Sequence, residues 1–207
     1  MSANHAAFNL IFRFVENYVS PIAGRISSQR HVMAIRDGFI SAMPFMIVGS
    51  FLLVFAYPPF SPDTTWGFAR AWLDMAKQFE GQILTPFDMT MGVMSLYICA
   101  AIAYNLGKHY VKTHQLDPFM CAMLSLMAFL LVAAPKTKGA LPVDSLGGTG
   151  IFTAILVAIY CVEMMRFLKA HNIGIRLPDQ VPPMIKNSFD LLIPVLVVVF
   201  YLPYQWT

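Results

Sequence analysis

Five apolar stretches, at residues 39–57, 89–106, 118–134, 150–168 and 191–204, set what this chain can fold into. A helix rises 1.5 Å per residue, so crossing a hydrocarbon core of ~30 Å takes roughly 20 apolar residues. The first four stretches approach that length, and the fifth does so when extended back to Phe189 or Met184. The expected fold class is therefore all-α, a polytopic helical membrane protein with about five transmembrane helices. Composition agrees, with 57% hydrophobic and only 12% charged residues, against about 25% charged in an average soluble domain. A soluble globular domain, a disordered segment and a disulfide scaffold are all excluded. The net charge of +3 comes without a dense basic run, so no nucleic-acid partner is expected. Cys99, Cys121 and Cys161 fall inside apolar stretches at spacings that fit no zinc or redox motif, and read as small core residues. No cleavable signal is recognisable near the start, so the membrane address lies in the spans themselves.

Loop charge sets the orientation. Arg13, Arg25, Arg30 and Arg36 precede the first span, Lys108 and Lys112 follow the second, and Arg166, Lys169, Arg176 and Lys186 close the fourth. The alternate loops hold only Arg70, Lys77, Lys136 and Lys138, so the count is ten against four. The positive-inside rule then places the N-terminus in the cytoplasm and, after five spans, the C-terminus outside. Residues 1–38 are expected to be a cytoplasmic amphipathic segment and residues 39–207 the five-span bundle.

Two segments have the pattern of amphipathic interfacial helices. Phe8, Ile11, Phe12, Val15, Val19 and Ile22 recur at helical spacing in the first. In the second, Phe68, Trp72, Met75 and Phe79 line one face and Arg70, Asp74 and Lys77 the other, with Trp66 and Trp72 suited to the headgroup layer. A helix capping the bundle and buried by protein fits this second pattern equally.

Pro44 lies inside the first span and Pro194 inside the fifth. Each predicts a kinked rather than a broken helix, because neighbours in a bundle can satisfy a freed carbonyl. Gly92, Ser95, Cys99, Ala103 and Gly107 step by three and four, as do Cys121, Ser125 and Ala128. Such small-residue faces let helix backbones approach closely, and they suggest self-association. No catalytic constellation, nucleophile elbow, phosphate loop or metal motif is present, so no cofactor or metal is expected. His109 and His114, five apart, would fall on different faces of a helix, and in a basic cytoplasmic loop they read as solvated rather than as metal ligands. The chain's intramembrane carboxylate is Glu163. Its cost in hydrocarbon demands a partner, and Arg166, three residues on, lies on the same helix face. A structural ion pair predicts that Glu163→Gln is mild, whereas a proton- or substrate-handling role predicts loss of function. Asp179, ahead of Pro182 and Pro183, has helix-capping chemistry.

Several stretches, in order, carry a family resemblance. They are Gln29-Arg30-His31 leading to Ala34-Ile35-Arg36-Asp37-Gly38-Phe39, then Met43-Pro44 with Gly49-Ser50, and Ser95-Leu96-Tyr97 leading to Ile102-Ala103-Tyr104-Asn105-Leu106-Gly107-Lys108. Next come Leu146-Gly147, Gly150-Ile151-Phe152 and Val162-Glu163, and last Leu177-Pro178-Asp179 with Leu192-Ile193-Pro194. The chain resembles the membrane permease subunit, component IIC, of the bacterial phosphoenolpyruvate-dependent sugar phosphotransferase system, in its lactose, cellobiose and diacetylchitobiose branch. The resemblance implies a homodimer in the bacterial cytoplasmic (inner) membrane. It would translocate a disaccharide for phosphorylation by a IIB component, itself charged by IIA, with no catalytic residues of its own. Family members are roughly twice as long, and residues 1–207 resemble their N-terminal, dimer-forming half. The family's sugar-binding residues lie beyond Thr207, so no position here inherits that role. A non-transporting oligomerisation module, or the remnant of a broken permease gene, is the alternative expectation.

Overall fold

The computed structural model of the chain describes residues 20–133, 143–174, 181–182, 185 and 189–201. Every element among them is a helix or a helical turn. In chain order these are α1 (Ser20–Ser27), α2 (Arg30–Ala56), α3 (Gly67–Phe87), a π-turn (Asp88–Gly92), α4 (Met94–His114) and α5 (Pro118–Ala133). Two 3₁₀ turns (Val143–Ser145 and Gly148–Gly150) lead into α6 (Ile151–Ala170), and α7 spans Leu192–Tyr201. The first expected amphipathic segment lies outside the described residues up to Ser20, and so does the proposed cap at Asp179.

Three helical runs are long and apolar enough to cross a membrane: Arg30–Ala56, Gly67–His114 through the π-turn, and Gly148–Ala170. Helix α5 is apolar but has 16 residues, about 24 Å at 1.5 Å each. The fifth expected span is described over the ten residues of α7. The helices occupy the expected stretches, with three shifts of boundary. One is that α4 runs on to His114, eight residues past the expected end, so Lys108, His109 and Lys112 lie in the helix and not in a loop. Helix α2 begins at Arg30, well before the apolar run, so residues 30–38 belong to the first spanning helix and not to a separate surface segment. The second span is α4 and begins only at Met94, because Asp88–Gly92 forms the π-turn. There the Thr90 hydroxyl donates to the carbonyls of Pro86 (2.9 Å) and Phe87 (3.0 Å), and the ring of Pro86 supplies no N–H to the ladder.

Chain ends of the helices follow local chemistry. Pro58 and Pro59 stop α2. Gln115 takes a left-handed φ of 52° to close α4. Asp117 caps α5 through its Oδ1, which accepts from the amides of Phe119 (2.9 Å) and Met120 (3.2 Å), with Pro118 at the first helical position. Helix α2 runs through Pro44 without interruption. Pro194 sits in the first turn of α7, where its missing N–H leaves no gap in the helix ladder, so no kink is needed there.

Helix α4 is the centre of the bundle and packs against α2, α5 and α6. Its fully buried positions are Ser95, Ile98, Cys99, Ile102, Ala103, Leu106 and Tyr110. The small-residue faces therefore do pack helices closely, but within one chain. Cys99, Ala103, Cys121, Ser125 and Ala128 are all fully buried, and Cys99 Sγ lies 3.5 Å from the Ser125 carbonyl. This corrects the expectation that these faces are free to join a second copy. Gly92 closes the π-turn rather than a helix contact, since a side chain there would meet its neighbours only at ordinary van der Waals distance. Close approach is needed at Gly38, where a Cβ would fall 2.9 Å from the Ile102 amide nitrogen.

In α3 the apolar arc divides in two. Ala69 and Ala76 are buried, with Trp72 and Leu73 beside them, and the helix packs on α2. Phe68, Met75 and Phe79 stay exposed. Trp72 Nε1 donates to the Phe55 carbonyl (3.2 Å), and the rings of Phe55, Phe60, Trp66, Phe68 and Trp72 form one aromatic cluster. The helix combines both expected forms: one edge covers the bundle and the other faces outward as an interfacial helix does.

Candidate functional site

Segments distant in sequence converge where α2 begins and where α4 and α6 end. His31 lies in the first turn of α2, Tyr110 near the end of α4, and Glu163 and Arg166 in the last turns of α6. The close passage of Gly38 against Ile102 sets the register. From that crossing, roughly two helical turns back along α2 and two forward along α4 bring His31 and Tyr110 level.

Glu163 is the hub. His31 Nε2 lies 2.9 Å from its Oε1, and the Tyr110 hydroxyl donates to the same oxygen at 2.5 Å. Arg166 Nη2 reaches the other oxygen, Oε2, at 2.7 Å. An ionised carboxylate only accepts, so the His31 nitrogen facing it carries a proton and donates. Around this core, the guanidinium carbons of Arg30 and Arg166 stand 5.4 Å and 5.2 Å from the centroid of the Tyr110 ring, within cation–π range. The His114 ring meets the Tyr110 ring edge-on at 5.6 Å. Tyr110 is buried, while the side chains of Glu163 (24% exposed), His31 (32%) and Arg166 (40%) lie at the rim of the bundle. A second tie lies nearby. Lys169 Nζ pairs with Asp190 Oδ2 at 2.7 Å and donates to the Gln115 carbonyl at 3.3 Å. A cation at the C-terminal end of α4 also complements the helix dipole.

The expected Glu163–Arg166 pair is present. His31 and Tyr110 complete it, and no spacing rule in the sequence pairs them with Glu163, from which they are 132 and 53 positions away. Two donors on Oε1 and one on Oε2 also change the expectation for Glu163→Gln. An amide offers an uncharged acceptor to Arg166 or to the His31–Tyr110 side, not to both, and the other side must reverse its donors, so a larger cost than for a simple ion pair is expected. Pro44, Gly92 and Pro194 are not brought to this hub. Pro44 lies mid-helix, beside the stacked rings of Phe45 and Tyr97, and Gly92 is at the opposite end of the bundle.

Of the other hydroxyls of the spans, that of Ser125 is buried with no hydrogen-bond partner among the described residues, whereas others bond to backbone. Ser41 donates to the Asp37 carbonyl (2.7 Å), Ser50 to that of Ile47 (2.8 Å), and Ser95 to that of Leu146. Among the described residues no cluster of polar groups converges on a space where a sugar's hydroxyls could be paired. The hub ties three helices through one carboxylate, both of whose oxygens accept from side-chain donors.

Residues 36–206 match the family model described as "Phosphotransferase system, EIIC". Among curated proteins, the chain is 37% identical to the cellobiose-specific EIIC component of Geobacillus stearothermophilus, over 91% of this chain and 44% of that protein. It is 34% identical to the lichenan permease IIC component of Bacillus subtilis, over 93% of this chain and 44% of that protein. A lactose-specific EIICB component of Streptococcus mutans matches at 33% identity, over 84% of this chain and 30% of that protein. Among solved structures, the transporter ChbC, the IIC component of an N,N'-diacetylchitobiose-specific phosphotransferase system, superposes with a TM-score of 0.75 at 33% identity. That match covers 93% of this chain and 46% of ChbC. The chain thus spans a little under half the length of the first curated relatives it matches.

Proposed function

Because the chain belongs to the phosphotransferase system EIIC family, we propose that it forms the N-terminal half of a sugar permease. The permease would carry a β-linked disaccharide of the cellobiose, lactose or diacetylchitobiose type to the cytoplasm, where a IIB component charged by IIA phosphorylates it. The observation that carries this reading is the match of nearly the whole chain, in sequence and in fold, to disaccharide-specific IIC proteins. IIB and IIA partners follow from the same match, which includes relatives named EIICB.

Glu163 serves this half as a clamp on α2, α4 and α6. The hub end is basic: Arg25, Arg30, Arg36, Lys108, Lys112, Arg166 and Lys169 stand there against Asp37, Asp117, Glu163 and Asp190. The other end holds Arg70 and Lys77 against Asp63, Asp74, Glu80, Asp88 and Asp144. This asymmetry supports a cytoplasmic hub end and N-terminus in the bacterial inner membrane. Single cysteines at Ser2 and Gln205 test it: an impermeant reagent added to intact cells should label the second and spare the first, and labelling at Ser2 would reject the orientation. In the homodimer, the second copy meets the face of α2 opposite its buried stripe, where Ile40, Met43, Ile47 and Phe51 are exposed at helical spacing. Cysteine at Met43 should therefore cross-link between copies.

The function is tested by grafting residues 1–207 in place of the matching half of the cellobiose-specific relative. The host should lack its own disaccharide permeases and keep IIA, IIB and the phosphocarrier. Phosphoenolpyruvate-dependent accumulation of disaccharide phosphate is expected. A stable, inserted chimera that accumulates none with cellobiose, lactose or diacetylchitobiose would reject the reading. The 207-residue chain alone is expected to insert without accumulating any disaccharide phosphate, and accumulation by it would contradict the half-permease reading.

A further inference from the structure

A groove of about 420 Å³ runs along the contact of α2 and α4, open on one side. Its apolar length is formed by Ala42, Phe45, Tyr97 and Ala101, with the Phe45 and Tyr97 rings stacked at 4.4 Å at one end. Its other end is polar, at Asn105 and Lys108. Lys108 is two residues before Tyr110, so it stands about 3 Å along the helix axis from the level of the Glu163 hub. Its ammonium lies 4.4 Å from the centroid of the Tyr104 ring, and among the described residues it forms no ion pair with a carboxylate. The acid near this mouth, Asp37, is already paired with Arg36 at 2.8 Å. Among the described residues, the mouth therefore carries a cation that no carboxylate pairs with, above an apolar channel floored by small residues.

We propose that this groove binds one anionic phospholipid, with an acyl chain along Ala42, Ala101 and the Phe45–Tyr97 pair and the phosphate at Lys108. The chemistry is that of an amphiphile with one negative end. An apolar channel that takes hydrocarbon reaches a basic, snorkelling side chain at headgroup depth, an arrangement that retains anionic lipid between helices. Charge complementarity favours this occupant: a zwitterionic lipid brings its own cation beside the phosphate and leaves the mouth with a net positive charge, and a purely apolar partner helix would bury Lys108 unpaired. The proposal depends on the chain lying in a membrane and not on which sugar, if any, is transported.

The test is native mass spectrometry of the purified 207-residue chain, titrated with phosphatidylglycerol and phosphatidylcholine of identical acyl chains. Retention of a single phosphatidylglycerol about fivefold better is expected, the size of effect one lysine exerts near an anionic surface. Lys108→Ala should abolish that preference, Lys108→Arg should keep it, and Lys112→Ala should leave it unchanged. Ala101→Phe, which fills the channel floor, should reduce retention of both lipids. Glycerol phosphate lacking acyl chains should not compete. Equal retention of the two lipids, a preference that survives Lys108→Ala, full competition by glycerol phosphate, or a dimer that excludes lipid from the groove would each overturn the proposal.

Discussion

The two ends of this bundle are joined by different chemistry. At the hub end, α2, α4 and α6 meet through ionised and aromatic side chains centred on Glu163. At the other end, apart from an exposed Tyr57–Glu80 contact, the ties run through backbone carbonyls. Ser95 donates from both its hydroxyl and its amide (3.0 Å for the amide) to the Leu146 carbonyl, and Trp72 donates to that of Phe55. Carbonyl acceptors exist at every residue, so the second kind of tie tolerates many sequences. A shared carboxylate does not, because its donors must arrive from three helices with nothing to replace them. The comparison predicts that substitutions at the hub cost more than comparable ones at the opposite end.

The largest effect is expected for Glu163→Gln. It removes the charge that three donors share and makes either Arg166 or the His31–Tyr110 side give up its acceptor at a half-buried site, and should lower stability by about 2 kcal/mol, measured by thermal unfolding in detergent. A change of a few tenths would restore the simple ion-pair reading. Next, Ser95→Ala removes one of two bonds to the Leu146 carbonyl and should cost about 1 kcal/mol, since the amide still donates. A cost above that of Glu163→Gln would reverse the comparison. Trp72→Phe keeps a ring in the aromatic cluster but loses the bond to the Phe55 carbonyl. It should cost roughly 0.5 kcal/mol, with a matching loss of protection from exchange where α3 meets α2.

The smallest expected effect is a pH dependence outside the spans. Tyr57 donates to Glu80 at 3.2 Å. That bond, then burial and then the charge of Glu80, hold the phenol's pKa above its ordinary 10.0. A raised folded-state pKa means the contribution is fully present below pH 10.0 and is lost as the pH rises through the folded value. Tyr57→Phe should therefore matter slightly at neutral pH and not at all in strong alkali. A difference that grows with pH would contradict the contact.

The helices were legible in the sequence because apolar runs of spanning length have few other destinations in a bilayer. The starts of α5 and α6 fall within a residue of their expected limits and the end of α6 within two, and Glu163 and Arg166 pair because three residues on a helix is contact distance. Other features depend on packing. Nothing local marks His31 or Tyr110 as partners of Glu163, because only the passage of α2 along α4 makes them neighbours. The π-turn at Asp88–Gly92 needs the competition of Thr90 for carbonyls beside Pro86, which hydropathy does not register. The small-residue faces read the same whether the helix they admit belongs to this chain or another, and here α5 packs against α4.

The central claim is that Glu163 binds three helices as one unit, and a double-mutant cycle between Tyr110→Phe and Glu163→Gln tests it most directly. Residues of one network couple by about 0.5–3 kcal/mol. The double variant should therefore unfold well above the temperature that summing the two single losses would give. Strict additivity of the two losses would contradict the hub.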